Sequence, residues 1–179
     1  MKRFQELLTG KEHSAECNNL IRNNPPIKID TGGVFICIGG KASIAIDLKQ
    51  FDIVSGDMVV IFPYTIVQLI GHSEDFDGKL LTAEVSFFNS LQIKNKSLHY
   101  LNIKDNPCIS LKDCEANKIR SLHDMLINEG QDKDHPLREE IDECLMKVIA
   151  YEVAAIYLKR SPLKEKSFLG GGKRNDLIG

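Results

Sequence analysis

Between His13 and His72 the chain has no histidine, and from residue 55 to residue 90 it has no arginine. The first gap withholds imidazole, the commonest ligand of a catalytic divalent ion, from a long stretch of chain; such an ion needs about three protein ligands and an open position. The second withholds the cation that would clamp a cyclic phosphate. Basic residues do not outnumber acidic ones, 23 against 25, so the formal net charge is -2 and no global positive field draws in nucleic acid. No apolar run approaches the roughly 20 residues of a membrane-spanning helix. The opening MKRFQELLTGKEHSAE lacks an apolar centre followed by a small-residue cleavage site, so it is not a secretion signal, and the expected compartment is the cytoplasm.

The five cysteines (Cys17, Cys37, Cys108, Cys114, Cys144) are odd in number and contain no CxxC pair. They read as small buried hydrophobes in a reducing compartment, not as a disulfide framework or a zinc site. The nucleophile elbow GxSxG is missing, and so are the phosphate-cradling patterns GxGxxG and GxxxxGK[ST]; Gly170-Gly171-Gly172-Lys173 is not followed by Ser or Thr. Walls without reactive groups point to binding.

What is present, over 179 residues, suits one domain with an appended helical piece. Residues 1–30 are polar, end in Asn23-Asn24-Pro25-Pro26, and read as an N-terminal arm. Residues 31–108 carry short runs rich in Val, Ile and Phe: Val34 to Ile38, Ser43 to Leu48, Phe51 to Val54, Met58 to Phe62, Ile66 to Ile70 and Lys79 to Phe87. These are predicted strands, with Gly32-Gly33 and Gly39-Gly40 as turns, and six or more of them imply a sandwich or a small barrel.

From residue 109 to 160 the period becomes helical. Ser110 with Asp113 is the predicted cap of a first helix that carries Ile119, Leu122 and Leu126 on one side and stops at Gly130. After the loop QDKDH and Pro136, a second helix is predicted from Leu137 to Arg160. Ile141, Leu145, Val148 and Glu152 form one stripe on it, and Cys144, Tyr151, Ala155 and Leu158 form another. So wide an apolar arc predicts contact with two things, the chain's own β region and something else. Residues 161–179 read as a flexible linker that breaks off at the start of another element.

A few polar positions interrupt the apolar runs. Gln68 stands between Val67 and Leu69, and Glu84 lies in an alternating stretch with Thr82 and Ser86. Alternation alone lets such residues face solvent, while a small barrel can also turn a few inward to orient one ligand. Gln68 and Glu84, with Tyr64 at the proline turn and Cys37 in the first run, are the candidate ligand contacts; no catalytic residue, metal or cofactor is expected.

The Gly56-Asp57 turn with the following Pro63, the stretch DFDGKLLTAEVSFFNSL (75–91), two helices and a truncated linker together resemble the N-terminal ligand-binding and dimerisation domain of AraC-type transcription regulators, in forms typical of Bacteroides-like bacteria. The resemblance covers roughly residues 30 to 160. It implies a mainly β fold with α: a cupin-like β-barrel holding a small effector, often a sugar, then a two-helix antiparallel dimerisation element. Helix-turn-helix motifs beyond residue 179 would bind DNA. The homodimer seam would use Ile119, Leu122, Leu126, Ile141, Leu145, Val148 and Ala155. Thr65 and Gln68 stand where a metal-binding cupin would follow Pro63 with glycine and histidine. A cupin-fold metal-dependent enzyme acting on a small metabolite is the second reading, and a cyclic-nucleotide sensor the third.

Overall fold

The computed structural model describes residues 25–94, 96–129 and 134–160. The arm up to residue 24, Gly130, most of the QDKDH loop and the linker 161–179 lie outside them. Among the described residues eight strands form: β1 (Ile27–Lys28), β2 (Gly32–Gly39), β3 (Lys41–Ile46), β4 (Lys49–Val54), β5 (Asp57–Ile61), β6 (Ile66–His72), β7 (Asp77–Ala83) and β8 (Cys108–Ser110). They pair antiparallel into two four-stranded sheets, β1-β6-β3-β4 and β7-β2-β5-β8. Among the described residues no ladder joins an edge strand of one sheet to an edge strand of the other. The expected barrel is therefore two facing, open sheets.

The two faces of the second sheet are both covered, and this explains its sequence. Phe35, Val59 and Ile61 point into the sandwich and meet Ile44, Ile53 and Leu69 of the first sheet. Ile36, Met58 and Val60 point outward and meet helices. Every residue of β5 is consequently buried, and its run Met58-Val59-Val60-Ile61 is continuous where a half-exposed strand would alternate. Among the described residues nothing covers the outer face of the first sheet. On β6, Val67 and Leu69 are buried while Ile66 and Ile70 are exposed.

Among the described residues four helices follow or interrupt the sheets: α1 (Val85–Ser90), α2 (Lys96–Asp105), α3 (Asp113–Glu129) and α4 (Arg138–Arg160). The predicted strand through Phe87 ends instead at Ala83, and α1 folds its Phe88 against Phe62, ring centroids 6.4 Å apart. Gly32 and Gly33 are not a turn. They lie within β2, where a Cβ at Gly33 would sit 2.3 Å from the Leu81 carbonyl oxygen and one at Gly32 would meet the Phe88 ring at 2.6 Å. The expected turn at Gly39-Gly40 is present, with φ 64° at Gly40.

Ser110 does not cap α3. Its hydroxyl donates to buried Asp57 at 2.6 Å, and the same carboxylate accepts the Val54 N–H at 2.9 Å, which ties β8 to the turn between β4 and β5. The helix is capped from Lys112, whose N–H donates to Glu115 at 2.9 Å, half of a capping box. Arg160, the last residue of α4, pairs with Glu115 at 2.5 Å and donates to the Ser110 carbonyl. The Lys112 N–H and the Arg160 guanidinium hold the Glu115 carboxyl below its ordinary value of 4.5. A depressed folded value stabilises the protein above pH 4.5 and loses that contribution as pH falls from there through the folded value. Glu115→Gln is therefore expected to cost roughly 1 kcal/mol at neutral pH. The gap from the parent should close in acid, read by urea titration across pH.

Candidate ligand site at the open end of the sandwich

β8 is three residues long, so its ladder with β5 ends at the pair Val59 and Cys108. Past that point the Val60 N–H donates to the Pro107 carbonyl at 2.8 Å, and the edge of β5 looks across a gap towards the start of β4. The gap is a cavity of about 80 Å³ with Ile46, Phe51, Val60, Phe62 and Pro107 as apolar walls. Thr65 lines it as well, together with four charged residues: Asp47, Lys49, Lys104 and Asp105.

Three elements set these groups in place. β3 turns into β4 through a two-residue loop, Asp47-Leu48, with φ 45° and 70°. Such primed turns normally use Asn-Gly, and left-handed backbone costs other L-residues roughly 1–2 kcal/mol each. What holds Asp47 there is a double hydrogen bond: its N–H donates to the Ile66 carbonyl at 2.9 Å, and its Oδ1 accepts the Ile66 N–H at 3.0 Å. Its Oδ2 lies 3.7 Å from Lys104 Nζ on α2. Next, Pro63 and Tyr64 occupy the centre of a turn closed by Thr65 N–H on the Phe62 carbonyl at 3.3 Å, with Tyr64 at φ 67°. This delivers Thr65, 8% exposed, to the cavity. Finally α2 ends at Asp105, directly before Asn106 and Pro107, and so brings Lys104 and Asp105 to the rim.

The residues expected to contact a ligand are not brought together. Cys37 is sealed in the sandwich core at 1% exposure, where burial lifts its thiol to about 11; Cys108 is lifted to about 12 for the same reason. Gln68 stands half-buried on the opposite face of β6 from Val67 and Leu69, so it turns away from the core. Glu84 is exposed at the start of α1, because the chain leaves the sheet one residue earlier. Tyr64 sits at the right end of the molecule but is 59% exposed, with Lys28 Nζ 5.5 Å from its ring centre. Cys37 pairs with Gly78 and Gly32 with Ala83, so the five residue steps along β2 from Gly32 to Cys37 put Cys37 and Glu84 roughly 17 Å apart along the sheet. Gly56-Asp57 and Pro63 likewise bracket β5 at opposite ends and do not share one cavity mouth.

A shallower depression of about 440 Å³ lies at the far end of β3, β4 and β6. There Ser43 donates to Asp52, and His72 Nδ1 lies 2.7 Å from the Ser73 carbonyl oxygen. Among the described residues no group of three His, Cys, Asp or Glu side chains is placed to hold a metal ion. Among the same residues no helix is long and apolar enough to cross a membrane.

The dimer residues also separate into two sets. Ile119 is 1% exposed and belongs to the chain's own core with Ile36 and Met58, and Leu122 and Leu126 pack against that core. They cover the second sheet. Ile141, Leu145 and Ala155 are half-buried, and Val148 is exposed. The face of α4 that packs inward is Ile149, Val153, Ile156 and Tyr157, with the Tyr157 hydroxyl donating to the Asn106 carbonyl at 2.9 Å.

No family model matches the chain, and no curated protein matches it. Among solved structures it is similar to the plu4264 protein from Photorhabdus luminescens, at 21% identity and TM-score 0.29, over 44% of this chain and 59% of that one. It is also similar to an apo variant of ToxT from Vibrio cholerae, at 15% identity and TM-score 0.45, over 74% of this chain and 50% of that one. The chain thus spans little more than half the length of these two proteins.

Proposed function

We propose that the chain is the sensing and dimerisation part of an AraC-type transcription regulator, which takes up a small-molecule effector and pairs two subunits, with DNA contacted by a part lying after residue 179. The reading rests on the resemblance in sequence and on one observation in particular. On α4 the residues Ile141, Cys144, Val148, Tyr151, Ala155 and Leu158 recur at alternating steps of three and four, the spacing of a coiled-coil seam. Cys144, Val148, Tyr151 and Leu158 are exposed, while the opposite face of the helix is buried on the chain's own sheet. A heptad-spaced apolar stripe left uncovered favours a second copy of the helix.

Charge favours an antiparallel meeting. The first turn of α4 carries Glu139 and Glu140 and the last carries Lys159 and Arg160, so antiparallel copies set unlike charges together at both ends. Val148, near the middle of the stripe, would then lie beside the two-fold axis. An effector bound at the sandwich can act on such a pair only through differential affinity for two arrangements of it. The reading frame beyond residue 179 tests the assignment: two helix-turn-helix motifs with basic recognition helices are expected. A continuation of unrelated character would overturn it.

A further inference from the structure

We infer that the end cavity binds a small zwitterion, an amino acid of the size of alanine or β-alanine. The inference names the effector class for the sensor reading and rests on it. Four observations converge on the cavity, from the three elements that build it. The first is Thr65. It is 92% buried, lines the cavity, and its hydroxyl makes no hydrogen bond among the described residues. That hydroxyl is also absent from the water-inaccessible polar atoms without a partner among the described residues, which are His99 Nδ1 and Asp142 Oδ1, so a small molecule in contact with Thr65 can reach it. A buried donor left free towards a cavity is a ligand contact waiting to be made.

The second observation is Asp105. An acid at the last position of α2 faces the negative end of the helix dipole, a placement that costs stability, and no partner among the described residues relieves it. The third is Lys49, likewise without an ion pair among the described residues, on the other side of the cavity. The fourth is the Asp47-Leu48 loop, whose left-handed φ values hold the Asp47 carboxylate at the same rim. Backbone held in costly conformations gathers at ligand clamps.

The rim therefore carries two carboxylates and two ammonium groups, the complement of a ligand bearing one charge of each sign. A simple anion would meet Asp47 and Asp105, and a simple cation would meet Lys49 and Lys104, so neither half alone is favoured. Lys104 and Asp47, 3.7 Å apart, are close enough to pair weakly and to part around an incoming ligand. Size narrows the class further. About 80 Å³ holds on the order of three waters. Bonded atoms pack more closely than waters, so a stem of two or three carbons fits between Ile46, Phe51 and Phe62 while the charged ends remain at the rim.

Isothermal titration of the full chain at low ionic strength tests this, with L-alanine and β-alanine as zwitterions, propionate and ethylammonium as their halves, and L-leucine as the oversized control. One of the zwitterions should bind one to one with a dissociation constant on the order of 1 mM and at least about tenfold more tightly than either half, and leucine should not bind. Lys104→Gln and Asp105→Asn alter exposed side chains, and each is expected to weaken that binding at least about fivefold with an unchanged circular-dichroism spectrum. Thr65→Val keeps the shape and removes the hydroxyl, and should weaken it by a similar factor. No heat from either zwitterion at about 50 mM, propionate binding as tightly as alanine, or binding indifferent to both rim variants would each overturn the inference. Sedimentation of the same samples separates the two claims. A dimer that ignores zwitterions sinks this site and leaves the sensor reading, whereas a monomer that binds them does the reverse.

Discussion

Val148→Glu is expected to turn the dimer into a monomer, weakening association at least about a hundredfold, while the stability of the subunit stays within about 0.5 kcal/mol of the parent. Val148 is 42% exposed and touches the core cluster of neither face, so within one chain the carboxylate remains in water. In an antiparallel pair the two glutamates would lie beside the axis, each facing the other in an apolar seam. Desolvating two like charges at close range is what makes the loss large. Leu158→Glu, towards the end of the stripe, should weaken association less, because its mate would lie near the acidic first turn of the partner helix, nearer water. Sedimentation gives the association constant and urea titration gives the subunit stability. If Val148→Glu associates as the parent does, α4 is not the seam.

The second large effect lies in the sandwich core. Gly78 of β7 pairs with Cys37 of β2 and lies under the Phe35 ring, and a Cβ there would stand 2.2 Å from two atoms of the ring and 2.7 Å from the Ile36 carbonyl oxygen. Phe35 cannot retreat, being 1% exposed and in tilted contact with the Phe76 ring, centroids 5.7 Å apart. Gly78→Ala is thus expected to cost about 1–3 kcal/mol by overpacking, and Phe35→Ala about 3–5 kcal/mol by the cavity it leaves. The two should be strongly coupled. In the Phe35→Ala background the added methyl enters vacated space, so Gly78→Ala there should cost at least about 1 kcal/mol less than it does alone. Additive costs would mean that the clash is with the Ile36 backbone and not the ring.

The strands were legible wherever local pattern and burial agree. Val67 and Leu69 alternate with Ile66 and Gln68 on a sheet with one open face, and the unbroken run from Met58 to Ile61 marks a strand covered on both sides. The second helix was also legible. Which stripe faced which way was not. That depends on how α4 is rotated on the second sheet, where Val153 and Ile156 meet Met58 and Val60, a fact of tertiary packing that a single helix does not encode.

Helix α2 was missed because its residues Lys96–Asp105 show little segregation of apolar from polar positions, and α1 because Val85, Phe87 and the serines beside them fit strand alternation equally well. The cavity was the least legible part. Asp47, Thr65 and Lys104 are separated by 18 and 39 positions in the chain, and no spacing rule joins them. Only the hairpin tip, the proline turn and the end of α2 meeting at one end of the sandwich make them neighbours. One local signal was present: an acid-leucine pair, Asp47-Leu48, standing where a tight hairpin calls for glycine or asparagine.

Whether two copies of this chain pair is the most direct question to put to the account. Sedimentation equilibrium of the 179-residue chain at about 10 μM is expected to return roughly 40 kDa, twice the subunit mass of 20.1 kDa. A mass of 20.1 kDa that persists as concentration is raised tenfold would contradict it.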